Sequence, residues 1–298
     1  MKIIPYATHY REPVSLALGF FDSLHLGHQA LIREAKRDDC QLAVFTFGQN
    51  LYANVSKHEP LVLTFEERVD RLADMGVDVV IRATPDREFL STRPIDFLNT
   101  LLDTLDIISI TVGTDYTYGV GGEGNVDSLR EFCTSHSIAL NVVDLLSRGL
   151  HKIGTRYVRK AITLGDISEA NAMLGYDYYM IGEVVSGDSV GRTLGYPTAN
   201  LKVEGDKVMP PLGVYATIVE IGGERYKGMT AISDRPTFLA QDVTIETYIL
   251  DFEEDIYGES IKVSFVEKIR DNIKFSSTTQ LRDRLAQDEM IVRELNYD

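Results

Sequence analysis

Sulfur is scarce in this chain: among 298 residues only Cys40 and Cys133 occur, with no Cys-x-x-Cys pair and no Cys/His spacing of the zinc-binding kind. A disulfide scaffold and a structural zinc site are therefore not expected. Long apolar runs are missing as well. No stretch approaches 18 residues, which argues against a membrane-spanning helix, and MKIIPYATHY at the start has neither the apolar core nor the cleavage pattern of a secretion signal. The expected location is the cytoplasm, with no membrane partner and no obligate protein partner. Positive charge is also short: 30 Lys and Arg against 45 Asp and Glu leave a net charge of −15. That balance argues against a nucleic-acid surface, while leaving room for a local anion site made of backbone N–H groups, a few Arg or His, and Mg²⁺. Internal repeats and low-complexity linkers are absent too.

What is present belongs to an ordinary globular chain, with 44% hydrophobic and 25% charged residues. Its length favours two domains, each large enough for its own core. Strand and helix alternate through the first part: strands over 14–20, 42–47, 77–81, 107–112 and 138–145, with helices over 27–36, 64–75, 94–105 and 126–134. Thr64 and Glu67 form a capping-box pattern, and Gly76 suits the end of that helix. The alternation predicts a doubly wound parallel sheet. Near residues 176–181 the pattern changes to strands without intervening helices, over 178–185, 214–220, 226–232, 244–252 and 260–266. Gly222-Gly223 makes a hairpin turn between two of them. A last helix over 278–295 completes the expectation of an antiparallel β-barrel with a C-terminal helix. The expected domains are 1–176, an α/β nucleotide-binding domain, and 177–298, the barrel.

Two segments carry chemistry. GFFDSLHLGH at 19–28 ends a strand and opens a helix, so His25 and His28, three apart, can face one point together with free N–H groups and the positive end of the helix dipole. Such a place stabilises charge developing on a phosphate. An isolated His-x-x-His is more often a surface or capping pair; the strand–loop–helix setting and Gly19, Phe20 and Asp22 tilt the reading toward a nucleotide. GRTLGYPTAN at 191–200 packs Gly191, Arg192, Gly195, Thr198 and Asn200 around one tight turn, as a polyphosphate loop with a divalent cation requires. A plain structural turn fits the same letters. Glu246, on a strand, shares a face with Tyr248 and Leu250 and stands opposite Ile245 and Ile249.

GFFDSLHLGHQ resembles the signature of cytidylyltransferase-like nucleotidyltransferases, and GRTLGYPTAN resembles the riboflavin kinase loop. With VGTDYTYG at 112–119, IGTRYVRKAI at 153–162, PPLGVYA at 210–216, IETYILDF at 245–252 and IRDNIKF at 269–275, the chain resembles the bifunctional riboflavin kinase/FMN adenylyltransferase family, or FAD synthetases, over nearly its whole length. The resemblance implies phosphorylation of riboflavin to FMN and adenylylation of FMN to FAD, with ATP and Mg²⁺. It assigns Gly19, Phe20, Asp22, His25, His28, Thr155 and Arg159 to nucleotide in the first domain, with Asp115 near the flavin. In the second it assigns Gly191, Arg192 and Gly195 to nucleotide, Thr198 and Asn200 to Mg²⁺, Glu246 to the catalytic base and Arg270 to the flavin. Departures cluster in the first domain. FTFGQN at 45–50 lacks the family's histidine-proline pair, Ser23 replaces a glycine, and Gly154 and Arg156 alter the second phosphate loop. Two alternatives therefore stay open: a riboflavin kinase with a degenerate adenylyltransferase domain, and a non-catalytic flavin-binding regulator.

Overall fold

A computed structural model describes residues 1–51, 59–148, 151–187, 191, 194–236 and 241–295. The chain separates into two compact units, Met1–Tyr157 and Val158–Asp298.

The first unit is built on β1 (Lys2–Pro5), β2 (Tyr10–Leu18), α1 (Leu26–Ala35), β3 (Gln41–Phe47), α2 (Phe65–Asp74), β4 (Val79–Ala83), α3 (Arg87–Leu90), α4 (Pro94–Thr104), β5 (Leu105–Gly113), α5 (Val126–Ser135) and β6 (Ala139–Val143). A two-stranded ribbon, β7 (Ser147–Arg148) and β8 (His151–Lys152), follows. The sheet is six-stranded in the order β1-β4-β3-β2-β5-β6, and every pairing is parallel. This is the doubly wound sheet read from the alternation, with β1 added at an edge. The last five residues of β2 are all buried, as a central parallel strand covered on both faces requires. Helix α2 begins with both bonds of the Thr64/Glu67 capping box and stops at Gly76, whose φ of 79° costs a glycine little.

The second unit holds most of α6 (Thr155–Leu164), then α7 (Ile167–Leu174), β9 (Tyr179–Val185), β10 (Thr198–Val203), β11 (Gly213–Ile221), β12 (Glu224–Pro236), β13 (Gln241–Ile249), β14 (Ser260–Arg270) and α8 (Thr278–Glu294). Strands β10-β13-β12-β11-β14-β9 close into an antiparallel barrel. Gly222 and Gly223, both at positive φ, turn the β11–β12 hairpin. The interior is filled rather than hollow. Tyr215 and Phe265 meet edge to face, and Thr217, Thr230 and Thr247 satisfy one another through two 2.9 Å hydroxyl contacts. Helix α8 covers the outside of β11 and β12, packing Val292 onto Val214, Ala216, Met229 and Leu250.

Among the described residues no helix is long and apolar enough to cross a membrane.

Candidate functional site

In the first unit β2 leads through α1 to β3 on one side, while its neighbour β5 leads through α5 to β6 on the other. The carboxyl ends of two strands that part in this way frame a crevice, the usual ligand position in an open α/β sheet. A cavity of about 660 Å³ lies there, lined by Gly19, Phe20, His25 and His28 after β2, Gly113 and Asp115 after β5, and Gly154 and Thr155 at the start of α6. Six expected site residues of this unit, Gly19, Phe20, His25, His28, Asp115 and Thr155, thus meet at one cavity. Asp22 does not line it: its carboxylate is buried and accepts the N–H groups of Val62 (3.0 Å) and Leu63 (3.4 Å) ahead of α2. Arg159 stands one turn beyond Thr155 on α6.

The β2–α1 loop is bent hard, with Phe21 at φ 54° and Leu24 at φ 41°, unusual for residues with a side chain. Surrounding bonds hold it. Asp22 ties it to residues 62 and 63, Ser23 Oγ lies 2.9 Å from Thr155 Oγ1, and Gln29 Nε2 donates to the Leu24 carbonyl at 2.8 Å. Arg68, on α2, was not singled out by the sequence. Its Nη1 reaches the Phe20 carbonyl (2.9 Å), Thr46 Oγ1 (2.8 Å) and the Phe47 carbonyl (3.2 Å), so it laces the ends of β2 and β3 together. The side chain is fully buried, Nε and Nη2 have no partner among the described residues, and desolvation pulls its pKa down to about 10. Its spacing from Leu72 on the buried face of α2 is the signal that marks it.

His25 caps α1: its Nδ1 accepts the His28 N–H at 3.2 Å, which leaves the proton of the neutral ring on Nε2. The two imidazoles stack 3.7 Å apart, 15° from parallel, and His28 meets Phe21 edge to face. Burial pushes His25 down to about 4 and His28 well below its usual value, with His25 and Arg68 adding to the depression of His28. Both are neutral at pH 7. The pair therefore offers imidazole N–H dipoles beside a helix N-terminus rather than a formal cation. Part of the cavity lining is aromatic. Phe45, Phe47, Phe89 and Phe97 pack at centroid distances such as 5.3 Å (Phe45–Phe97) and 5.5 Å (Phe47–Phe89), with Tyr118 beside Phe97. FTFGQN contributes two of these rings in place of a histidine-proline pair.

In the barrel, the turn from 191 to 196 closes with the Tyr196 N–H on the Gly191 carbonyl at 2.9 Å. A side chain at Gly191 would meet the Tyr196 carbonyl oxygen, and Gly195 sits at φ 88°, so both positions need glycine. Arg192 lies outside the described residues. The segment Pro197–Asn200 then enters β10, a strand hidden in a glycine- and proline-rich sequence. Register puts Asn200 opposite Glu246 and Thr198 opposite Tyr248. Thr198 Oγ1 donates to Glu246 Oε2 at 3.3 Å, and Thr198 also lines a cavity of about 390 Å³ with Pro197, Thr247, Ile249 and residues 252–257. Thr198 thus stands between that cavity and Glu246. Arg270, at the end of β14, gives Nη2 to Asp288 at 2.7 Å.

A family model for FAD synthetase matches residues 7–157, and one for riboflavin kinase matches residues 174–296. A bifunctional riboflavin kinase/FMN adenylyltransferase of Listeria monocytogenes is 36% identical over 93% of this chain and 91% of its own. The chain belongs to the bifunctional riboflavin kinase/FMN adenylyltransferase family. Its Escherichia coli K12 member is 32% identical over 95% of this chain and 93% of its own. A Streptococcus pneumoniae crystal structure described as a macrolide-efflux protein superposes with a TM-score of 0.91 at 31% identity, covering 99% of both chains. That description is of the pneumococcal protein; what the two share is the fold. In riboflavin kinase/FMN adenylyltransferase terms, the first cavity falls within the FAD synthetase match and the second within the riboflavin kinase match.

Proposed function

We propose that the chain makes FMN from riboflavin in its barrel unit and FAD from FMN in its α/β unit, using ATP for both. The observation that carries the kinase assignment is the bridge made by Thr198, which faces a nucleotide-sized cavity and also bonds the carboxylate of Glu246. The lining of that cavity also carries Glu253, Glu254 and Asp255, which repel phosphates, so we assign the nucleoside to these residues and the triphosphate to Thr198.

Glu246 then accepts the proton of the riboflavin 5′-hydroxyl as its oxygen attacks the γ-phosphorus and ADP departs. Among the described residues no cluster of three or more His, Cys, Asp or Glu is arranged to hold a metal by itself. The Thr198 hydroxyl and the Asn200 amide, both beside Glu246, instead offer the sparse hard-oxygen set from which Mg²⁺ is shared with phosphates and water. Thr198 and Asn200 would hold such a Mg²⁺, which would supply charge neutralisation for the transferring phosphoryl group. The resemblance supports a role for Arg192 toward the phosphates.

In the α/β unit, an FMN phosphate oxygen attacks the α-phosphorus of ATP and pyrophosphate leaves; positioning and charge stabilisation supply the catalysis. The His25 and His28 ring N–H groups, the α1 N-terminus and the Thr155 end of α6 support binding of the triphosphate. Arg159 acts on the same anion from α6. Asp22 contributes by fixing the loop, and Asp115 faces the flavin. The aromatic chamber from Phe45 to Tyr118 suits a planar tricyclic ring, which supports an adenylyltransferase that functions despite FTFGQN.

The test is one incubation of the full chain with riboflavin, ATP and Mg²⁺, followed by separation of riboflavin, FMN and FAD, repeated with Glu246→Gln and His28→Ala. We expect both products from the wild type, loss of FMN by about 10²–10⁴-fold in Glu246→Gln, and loss of FAD alone in His28→Ala. Wild-type protein that makes FMN and no FAD contradicts the adenylyltransferase half.

A further inference from the structure

Two stretches of chain that lie far apart in sequence wall the cavity beside Thr198. One is 197–199, which leaves the 191–196 turn and enters β10; the other is 252–257, which leaves β13. The last turns of α8 hold both.

Glu289 and Arg293 stand four apart on α8 and so share a face, and Arg293 gives Nε (2.9 Å) and Nη2 (2.8 Å) to one Glu289 oxygen. The same guanidinium grips Asp251 with two prongs, Nη1 and Nη2 each 2.8 Å from a carboxylate oxygen. Asp251 follows the end of β13 at φ 57°, a left-handed turn that Asp tolerates better than most residues and that redirects the chain out of the strand. Phe252 comes next, edge to face with Tyr226 at 5.0 Å and in the cavity lining. The other end of this segment is tied by main chain alone: the Gly258 N–H donates to the Val184 carbonyl (2.8 Å) and the Val184 N–H to the Glu259 carbonyl (2.9 Å). Glu289 serves the opposite wall. Tyr196, which closes the 191–196 turn, packs on the cluster around Val292 and meets Tyr248 edge to face at 5.0 Å. Its phenol bonds the Glu289 carboxylate, and burial followed by that charge pushes the Tyr196 pKa up. Lys227 fixes the end of the helix onto β12, its Nζ donating to the carbonyls of Arg293 (2.6 Å) and Leu295 (3.1 Å).

Arg293 is 44% exposed and Asp251 73%, and an ion pair so open to water adds little to stability. What a two-pronged guanidinium fixes is direction, since parallel bonds set both the place and the plane of the carboxylate. We propose that Glu289 and Arg293 are positioning residues for the nucleotide end of the kinase site, setting the spacing between the 197–199 and 252–257 walls. Neither lines the cavity itself. A nucleotide that needs both walls in place favours the docked helix end, and by linkage a loosened helix end weakens the nucleotide. This role rests on the assignment of ATP to this cavity made above.

The test uses the full chain with riboflavin and Mg²⁺-ATP, reading kcat and both KM values of FMN formation. Asp251→Asn removes the charge and keeps a side chain that accepts positive φ, while Arg293→Met keeps a helical residue and removes the fork. We expect each to raise the ATP KM about fivefold with kcat and the riboflavin KM within about twofold, and the double variant to be no worse than the poorer single one. Tyr196→Phe, which keeps the ring and loses the bond to Glu289, should raise the ATP KM in the same way. FAD formation from supplied FMN, a reaction of the other unit, should not change. Folded Asp251→Asn and Arg293→Met proteins that melt earlier yet keep the wild-type ATP KM overturn the proposal, because that is the signature of a purely structural pair. An equal rise in both KM values also overturns it, since α8 would then support the barrel at large rather than one cavity. If Arg293→Met does not fold, Asp251→Asn decides alone. Thr198→Ala separates the two possible failures: an ATP KM that it too leaves unchanged refutes the nucleotide assignment and the role of α8 with it, whereas insensitivity of the Asp251 and Arg293 variants alone refutes only the latter.

Discussion

His25 gives the sharpest quantitative expectation. Its imidazole is 6% exposed, it caps α1 through Nδ1, and burial pushes its pKa from 6.5 to about 4. The unfolded chain binds the proton first as pH falls, so the folded form is penalised between about pH 6.5 and pH 4 and unaffected above pH 7.5. At pH 5 the unfolded imidazole is almost fully charged and the folded one is mostly neutral, a difference of about 2 kcal/mol in stability. His28 is shifted in the same direction and adds to the slope. The informative comparison is wild type against His25→Asn, because Asn is a strong N-cap and does not titrate. We expect wild type to lose about 2 kcal/mol more than the variant between pH 7.5 and pH 5. Urea titration of the full chain, with amide exchange in β2 and α1 reporting the first unit, measures it. Equal pH slopes in the two proteins, within about 0.5 kcal/mol, would refute a buried neutral His25.

Other consequences follow from particular contacts. A Cβ at Gly187 would approach the Asn200 amide to 2.2 Å, so Gly187→Ala should cut FMN formation at least tenfold and leave FAD formation from supplied FMN unchanged, read by chromatography of both reactions. Arg68→Met removes three hydrogen bonds at the ends of β2 and β3 but also removes two buried nitrogens that have no partner among the described residues; we expect a stability change within about 2 kcal/mol and AMP transfer slowed at least tenfold. Unaltered transfer in a folded Arg68→Met protein would show that the loop needs no such staple. A double-mutant cycle of Ser23→Ala and Thr155→Val should yield a coupling of about 0.5–1.5 kcal/mol in unfolding, and a coupling near zero would deny the 2.9 Å contact in solution.

What could be read from the sequence was what neighbouring residues decide among themselves. The Thr64/Glu67 box, the stop at Gly76 and the turn at Gly222-Gly223 are local bargains between a side chain or a missing side chain and its own backbone, and each is found where the letters put it. Period-two alternation likewise gave Glu246 the face of Tyr248. It could not say what that face looks at, since Asn200, which register puts opposite Glu246, belongs to a different strand. Strand β10 was hidden for a related reason: GYPTAN has the composition of a turn, and its extended part is held by pairing with β9 and β13 rather than by propensity. Arg68 and Asp288 are the harder cases. Each is a charge on a helix whose neighbours in sequence look solvent-facing, and each is buried because distant groups complete it, carbonyls of β2 and β3 for one and two arginines for the other. A buried charge tolerated at that cost marks a place where the fold specifies geometry: Arg68 stands behind the β2–α1 loop that borders the first cavity, and Asp288 behind the end of β14.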